Sequence, residues 1–244
     1  AYTEHQSQLF QYIKSVSSGI SLQSIKNLVW ITNRQQGKTS TISKFIAVLS
    51  LLSPVGGNLV CVYSTSLDRA QEVTRAAKKY LYFYQNDSSV RKVLDEYDLG
   101  QIKFTVDNER NFTLKSLSSN LVNTILARPK NPDSCRGDAP HTAFFDEVGF
   151  VSESFWFNFA YPLLQVSDRQ FFLCTTPAPL NSFFDTFSKT VQRQNNEGNR
   201  FFWLVNHSLV CAKCWANGCP AQCSHLLFLV PPWKSLLRFD HLKR

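Results

Sequence analysis

A lysine and a threonine follow a short polar loop that separates an apolar run from a helical pattern. The segment Thr32–Thr39 has the spacing G-x-x-x-x-G-K-[ST] of a phosphate-binding loop, except that Thr32 stands in place of the first glycine. Such a loop turns its backbone N–H groups toward phosphates, and the next helix presents its N-terminus to the anion. We expect Gly37 to allow the tight backbone, Lys38 to reach the β and γ phosphates, and Thr39 to offer its hydroxyl to Mg²⁺. The alternative is a capped helix that begins after a surface loop.

Two adjacent carboxylates, Asp146 and Glu147, follow the apolar segment 142–145. One carboxylate can hold Mg²⁺ through its water shell, and the other can polarise an attacking water. Ligands of open α/β sheets bind outside the carboxyl ends of the strands. The pair therefore predicts the acidic half of a nucleotide-hydrolysing site, and the alternative is an ordinary acidic start of a helix.

Four of the seven cysteines are clustered near the C-terminus. They are Cys211, Cys214, Cys219 and Cys223, with His225 after them and His207 before them. Four thiolates at this spacing suit tetrahedral Zn²⁺ in a reducing compartment better than a disulfide framework. Free thiols in a compact loop are the alternative, and the spacing leaves open which of these side chains bind the metal.

Strand-like and helix-like patterns alternate along the chain and must position these groups. The predicted strands are residues 27–32, 58–63, 121–126, 142–145, 169–174 and 200–206, with a hairpin over 101–114. The predicted helices are residues 38–52, 67–84, 155–165 and 183–194, with another in the first twenty residues. This alternation predicts an α/β domain with a mainly parallel sheet flanked by helices.

The composition is that of a folded domain with a modest positive charge. Hydrophobic residues make up 43% of the chain, 20 residues are Phe, and the net charge is +8. These values exclude extensive disorder, and the lack of an apolar run of about 18 residues predicts that nothing spans a membrane. The lack of Met indicates a piece of a longer protein. Possible DNA contacts are Arg69, Arg75, Lys78, Lys79, Lys189 and Arg193, and the alternative is a solvated basic surface.

Four stretches resemble, in order, the ATPase domain of the large terminase subunit, the motor that packages DNA into tailed-phage and herpesvirus capsids. They are residues 4–10, 33–39, 136–150 and 172–184. In that family the first glycine of the phosphate loop is also commonly absent, and an arginine stands where Arg34 does. The likeness covers residues 1–206, and the Cys-rich segment resembles herpesvirus-type members.

The resemblance implies an ASCE-type P-loop NTPase and a role for each matched residue. The residues that would bind ATP are Gln6, Asn33, Arg34, Gln35, Gln36, Gly37, Lys38, Thr39 and Asp146, with Gln6 on the adenine. Glu147 would be the catalytic base, and Arg34 would stabilise charge in cis. Thr175 and Thr176 would sense the γ-phosphate and couple hydrolysis to movement. Without the resemblance, the segment 175–177 is a strand that ends in a turn.

The implied function is ATP hydrolysis that drives double-stranded DNA into a capsid. We expect an ATPase domain over residues 1–206, a zinc-binding segment over 207–244, and a metal-dependent nuclease domain downstream of Arg244. The implied partners are DNA, the portal, the small terminase subunit and further copies in a ring. The implied location is intracellular, in the host nucleus for a herpesvirus-like protein, and transiently at the portal vertex. The alternatives are a helicase-type P-loop ATPase and a DNA- or capsid-binding module whose ATPase has decayed.

Overall fold

The computed structural model describes residues 27–32, 37–52, 59–96, 102–108, 110–116, 122–135, 137–164, 169–177, 182–194 and 201–206, with residues 196, 198 and 217. The strands are β1 (Asn27–Ile31), β2 (Leu59–Ser64), β3 (Ile102–Asp107), β4 (Asn111–Ser116), β5 (Val122–Pro129), β6 (Thr142–Asp146), β7 (Gln170–Thr175) and β8 (Phe202–Asn206). The helices are α1 (Lys38–Leu52), α2 (Leu67–Asn86), α3 (Ser88–Glu96), α4 (Pro132–Cys135), α5 (Glu153–Phe155), α6 (Tyr161–Leu164) and α7 (Phe183–Gln192). A 3₁₀ turn, Val148–Phe150, follows β6, and a π-helical segment, Trp156–Ala160, joins α5 to α6.

The described strands form a single sheet in the order β3-β4-β5-β2-β6-β7-β1-β8. All neighbours from β5 to β8 pair in parallel, whereas β4 pairs antiparallel with both β5 and β3. The predicted mixed α/β class with a mainly parallel sheet is therefore confirmed. The predicted hairpin is also confirmed, since β3 and β4 are consecutive antiparallel strands at one edge.

The central strands are buried on both faces, and successive side chains enter two different cores. Leu28 and Trp30 pack in the core that contains α1 and α2. Val29 and Ile31 pack in the opposite core, which contains the helical segments of residues 153–164 and α7. Because side chains alternate across a strand, a continuous apolar run is what a sheet covered on both faces requires.

Paired phenylalanines fill both cores where β6 lies beside β7. Phe144 stacks on Phe172 with ring centroids 4.9 Å apart, and Phe145 stacks on Phe171 at 6.4 Å on the other face. Phe45 of α1 meets the first pair edge-on. Such pairs contribute about 0.5–1.5 kcal/mol each beyond burial of area. This packing fixes β6 against β7, whose ends carry the acidic pair and the two threonines.

The predicted helices are confirmed with small shifts of their ends. The helix predicted over 67–84 runs on to Asn86 in α2, and the one predicted over 155–165 begins at Glu153 and includes the π-helical segment. We did not predict α3, which begins after Asp87. The Asp87 carboxylate accepts hydrogen bonds from the backbone N–H groups of Ser89 and Val90, at 3.0 and 3.1 Å, and so caps α3. The helix predicted in the first twenty residues lies outside the described residues.

Within the described ranges, none of the helices combines the length and the apolar character needed to cross a membrane.

Candidate nucleotide-binding site

The sheet order brings the two candidate halves of the site to one edge. β7 lies between β1, which precedes the predicted phosphate-binding loop, and β6, which ends in the acidic pair. The three strands are parallel, so their carboxyl ends lie side by side. The backbone N–H of Thr32 donates to the carbonyl of Thr175 at 3.1 Å and ties the start of the loop to the end of β7. This is the edge at which open α/β sheets bind ligands.

Gly37, which precedes Lys38 in the predicted phosphate-binding loop, leads directly into α1. Gly37 has a φ of 79°, a left-handed conformation that glycine adopts without steric cost. Its carbonyl accepts the backbone N–H of Thr41 at 2.9 Å, so α1 begins at Lys38 with its N-terminal N–H groups at the edge of the sheet. A helix N-terminus in this place attracts phosphate.

A single open cleft of about 1080 Å³ contains most of the predicted site residues that the structure describes. Its lining is Gly37, Lys38, Thr39, Ser40, Ser64, Thr65, Arg69, Glu72, Asp146, Glu147, Phe150 and Thr176. The volume and the polar lining suit a nucleoside triphosphate.

Glu147 is held in place by donors from two other elements. Its Oε2 atom accepts hydrogen bonds from the backbone N–H of Thr176 at 2.8 Å and from the Thr176 hydroxyl at 2.9 Å. Its Oε1 atom lies 3.5 Å from the Nζ atom of Lys38, whose side chain is only 7% exposed. Glu147 itself has a φ of 52°, the one positive value at a non-glycine residue in the described ranges. Backbone in this rare conformation is typical of functional sites, where the surroundings compensate its cost.

Asp146 is buried beside Glu147, with 8% of its surface exposed. Burial raises the pKa of this carboxyl above its ordinary value, and the neighbouring Glu147 adds to the effect. A hydrogen bond from the thiol of Cys174, at 3.1 Å, and the charge of Lys38 oppose that rise. A buried carboxylate next to a second one favours a cation at this place.

Thr175 lies behind the cleft and braces the turn after the acidic pair. Its Oγ1 atom accepts the backbone N–H of Gly149 at 3.1 Å and donates to the carbonyl of Thr176 at 3.0 Å. Gly149 is packed so tightly that an added Cβ would lie 2.7 Å from both Thr175 Oγ1 and Phe184 Cδ2. The turn, β7 and α7 therefore form one packed unit around Glu147.

The donor set of the cleft fits Mg²⁺. Thr39 offers a hydroxyl and Asp146 a carboxylate, and both side chains line the cleft. Mg²⁺ prefers oxygen ligands and is usually held by one or two protein groups together with the phosphates of a nucleotide. Within the described residues, no group of three or more His, Cys, Asp or Glu side chains is placed to hold a metal ion. A Mg²⁺ ion held by Thr39, Asp146 and the phosphates of a nucleotide does not require such a group.

The remaining predicted site residues lie outside the described part of the chain. These are Gln6, Asn33, Arg34, Gln35 and Gln36, and the zinc candidates Cys211, Cys214, Cys219, Cys223 and His225. The other three cysteines, Cys61, Cys135 and Cys174, are buried and form no disulfide among the described residues.

Several lining residues were not predicted as part of the nucleotide site, although Arg69 was named as a possible DNA contact. Ser64 and Thr65 follow the apolar run of β2, and Arg69 and Glu72 lie on the first turns of α2. Each was detectable as a polar residue after a predicted strand. Only the sheet order, which places β2 beside β6, shows that they face the acidic pair.

Two of the candidate DNA-binding side chains on α2 have acidic partners. Arg69 donates to Glu72 at 2.9 Å, and Lys78 pairs with Asp107 of β3. Arg75 and Lys79 are exposed on the same helix. Contact with DNA stays a prediction for this surface.

Neither a protein-family model nor a curated protein matches this sequence.

The described fold is that of solved large terminase ATPase domains. The ATPase domain of the large terminase of Thermus phage P74-26, in a mutant form, matches with a TM-score of 0.56 and 18% identity, over 87% of this chain and 90% of that one. The large terminase of bacteriophage HK97 matches with a TM-score of 0.56 and 15% identity, over 88% of this chain and 42% of that one. A large terminase from a thermophilic bacteriophage, in complex with ATP-gamma-S, matches with a TM-score of 0.52 and 12% identity. The chain covers 50% of that terminase.

Proposed function

We propose that this chain is an ASCE-type P-loop ATPase and the motor domain of a DNA-packaging terminase. The observation that carries the proposal is the cleft itself. Lys38, Asp146, Glu147 and Thr176 converge there at the carboxyl ends of three parallel strands, with β7 between β1 and β6. The terminase ATPase fold supports the same function, and so does the ATP-gamma-S bound to one of the proteins that share it.

The residues of the cleft have separate roles in the proposed hydrolysis. Lys38, at the N-terminus of α1, binds the β and γ phosphates and balances the charge that develops on them. Glu147 orients a water and takes its proton as the water oxygen bonds to the γ-phosphorus and the bond to ADP breaks. Thr39 and Asp146 would hold Mg²⁺, which neutralises phosphate charge when it is bound.

The contacts of Glu147 also support the proposed coupling role of the threonines. Lys38 lies 3.5 Å from Glu147 and also faces the place of the phosphates, so a bound nucleotide competes with Glu147 for this ammonium group. Thr176 stays bonded to the other oxygen of Glu147 and follows directly on β7. A change at the γ-phosphate therefore shifts Glu147 and, through Thr176, the end of β7. Coupling of hydrolysis to movement requires a chain of contacts of this kind.

The packaging role adds partners and a location to this proposal. The partners are double-stranded DNA, the portal, the small terminase subunit and other copies of the motor in a ring. The motor acts inside the host cell, in the nucleus for a herpesvirus-like protein, and transiently at the portal vertex. The Cys211–Cys223 segment binds structural Zn²⁺ in this scheme. Elemental analysis of the purified protein tests that part, and a folded protein without zinc would contradict it.

The ATPase assignment is tested with Glu147→Gln, which keeps the shape of the side chain and removes its basicity. We expect turnover to fall by about 10²–10⁴-fold, the usual contribution of a general base, while ATP still binds. Steady-state phosphate release and equilibrium binding of a fluorescent ATP analogue measure the two quantities. Glu153→Gln, which changes an exposed carboxylate on α5, is the control and should leave both unchanged. Unchanged hydrolysis in Glu147→Gln would exclude the mechanism.

A further inference from the structure

Two side chains flank Asp146 from the strands on either side of it. β6 lies between β2 and β7, and Asp146 is in register with Cys174 of β7. On the other side Phe145 is in register with Tyr63, so Ser64 comes level with Asp146. The carboxylate thus has one small polar neighbour on each adjoining strand.

Each oxygen of the carboxylate accepts a hydrogen bond from one of these neighbours. The Cys174 thiol donates to Oδ1 at 3.1 Å, and the Ser64 hydroxyl donates to Oδ2 at 3.4 Å. Cys174 and Ser64 are each only 2% exposed, so water does not compete for these bonds. For a sulfur donor 3.1 Å is a close contact, and it is the shorter of the two.

We propose that Cys174 is a positioning residue that fixes the Asp146 carboxylate for Mg²⁺, with Ser64 as its weaker counterpart. The inference rests on the proposed function, since it needs the cleft to take a Mg²⁺–nucleotide. Each carboxylate oxygen has two lone pairs, so a donor on one leaves the other for a cation. Groups that orient a metal ligand in this way typically change metal affinity by about 10–100-fold when they are lost.

A thiol suits this position because it must serve two environments. Cys174 belongs to the apolar core with Trp30 and Phe172, which a thiol suits better than the more polar hydroxyl. The same side chain must still offer a hydrogen to Asp146 at the end of the strand. Cysteine behaves as a small hydrophobe with a weak S–H donor and meets both requirements.

The experiment measures how Mg²⁺ strengthens nucleotide binding, without reference to turnover. A fluorescent ATP analogue is titrated onto the wild type, Cys174→Ala, Cys174→Ser and Cys61→Ala, in EDTA and over a series of Mg²⁺ concentrations. Cys61→Ala is the matched control, since Cys61 is also a fully buried thiol of the sheet but packs in the opposite core.

We expect Cys174→Ala to raise by about tenfold the Mg²⁺ concentration at which the increase in nucleotide affinity is half-maximal. Nucleotide binding in EDTA should stay unchanged. Cys174→Ser keeps a donor and should stay within about threefold of the wild type. Cys61→Ala should match the wild type. Ser64→Ala tests the other donor if Cys174→Ala fails to fold, and a smaller rise in the same Mg²⁺ concentration is expected.

Two results would overturn the inference. One is a Mg²⁺ dependence of nucleotide binding that is the same in Cys174→Ala as in the wild type. The other is a loss of nucleotide affinity in Cys174→Ala that is equal in EDTA and in Mg²⁺, which would show that Cys174 only packs in the core. If the wild type binds nucleotide without any dependence on Mg²⁺, the proposed function fails as well. The wild-type titration therefore separates the two failures.

Discussion

At the scale of single residues, Glu147 is the side chain of the cleft with the most defined surroundings. Thr176 gives it two hydrogen bonds from one residue, one from the backbone and one from the hydroxyl. The left-handed backbone at Glu147 turns the chain sharply after β6. Without fixed partners a glutamate in such a turn has several rotamers, so these bonds hold the carboxylate in one orientation, as the proposed role of a base requires.

The Thr176 hydroxyl can be removed without disturbing the backbone donor. Thr176→Val keeps the shape and the N–H, so we expect turnover to fall by about tenfold, the equivalent of one hydrogen bond of roughly 1.4 kcal/mol. Nucleotide affinity should change less than twofold, because Lys38 and α1 remain. Thr190→Val removes a hydroxyl that bonds within α7, at 2.8 Å to Thr186, and serves as control. Equal turnover in the wild type and Thr176→Val would show that the Thr176 N–H, together with the more distant Thr175 hydroxyl at 3.5 Å, is sufficient to hold Glu147.

The same scale shows how far the sequence predicts the site. That Lys38, Thr39, Asp146 and Glu147 lie in one cleft was predictable, because each motif is contiguous and local spacing places its side chains at the start of a helix or the end of a strand. The positions of Ser64 and Cys174 were not predictable, because each becomes relevant only through the strand beside it. Strand order is decided by the packing of whole layers, which no local pattern records.

At the scale of secondary structure elements, the 3₁₀ turn, β7 and α7 meet at Gly149. The N–H of Gly149 bonds to Thr175, and the ring of Phe184 covers its Cα. A movement of the turn that carries Glu147 must therefore displace the start of α7. This contact links the acidic pair to α7, a helix that does not line the cleft.

A methyl group at Gly149 tests how tight this contact is. In Gly149→Ala the added Cβ lies 2.7 Å from Phe184 Cδ2 and from Thr175 Oγ1, so one of them must move. Overpacking of this kind costs about 1–3 kcal/mol, which lowers the Tm of a domain of this size by several degrees. The double variant Gly149→Ala with Phe184→Leu should recover part of the loss. Thermal unfolding measures the Tm of the single and the double variant. A Tm of Gly149→Ala equal to that of the wild type would show that the turn is loosely packed.

The elements themselves were predicted unevenly, for identifiable reasons. Long runs with one clear period, such as α1 and α2, were predicted closely because periodicity is averaged over many residues. The helix α3 was missed because it is short and mostly polar and begins directly after α2, separated from it only by its cap, Asp87. The π-helical segment at Trp156–Ala160 depends on how aromatic side chains pack, which the sequence pattern does not contain.

At the scale of the whole molecule, the buried carboxylate of Asp146 makes the stability of the domain depend on pH. Asp146 is almost fully buried, and burial raises its pKa above the ordinary value of 3.8. The folded protein therefore binds this proton more tightly than the unfolded chain does. The stability that this group contributes is fully present below pH 3.8 and is lost as the pH rises through its folded-state pKa.

Asp146→Asn should consequently be more stable than the wild type near neutral pH. The amide is isosteric and uncharged, so it removes the cost of a buried charge and the repulsion by Glu147. Its single oxygen can accept a hydrogen bond from either Ser64 or Cys174, which donate to different oxygens of the carboxylate. For a chain of this size, each 1 kcal/mol regained raises the Tm by about 2–4 °C. The gain should be largest at pH 7 to 8 and should shrink as the pH falls toward 4, where the wild-type carboxyl becomes neutral too.

The measurement is thermal unfolding across this pH range without nucleotide or metal, with Asp95→Asn, an exposed carboxylate on α3, as control. A variant less stable than the wild type at every pH would mean that attraction to Lys38 outweighs desolvation at Asp146. A confirmed gain would show that the fold gives up stability to keep a carboxylate where a cation is needed, the trade-off typical of active sites.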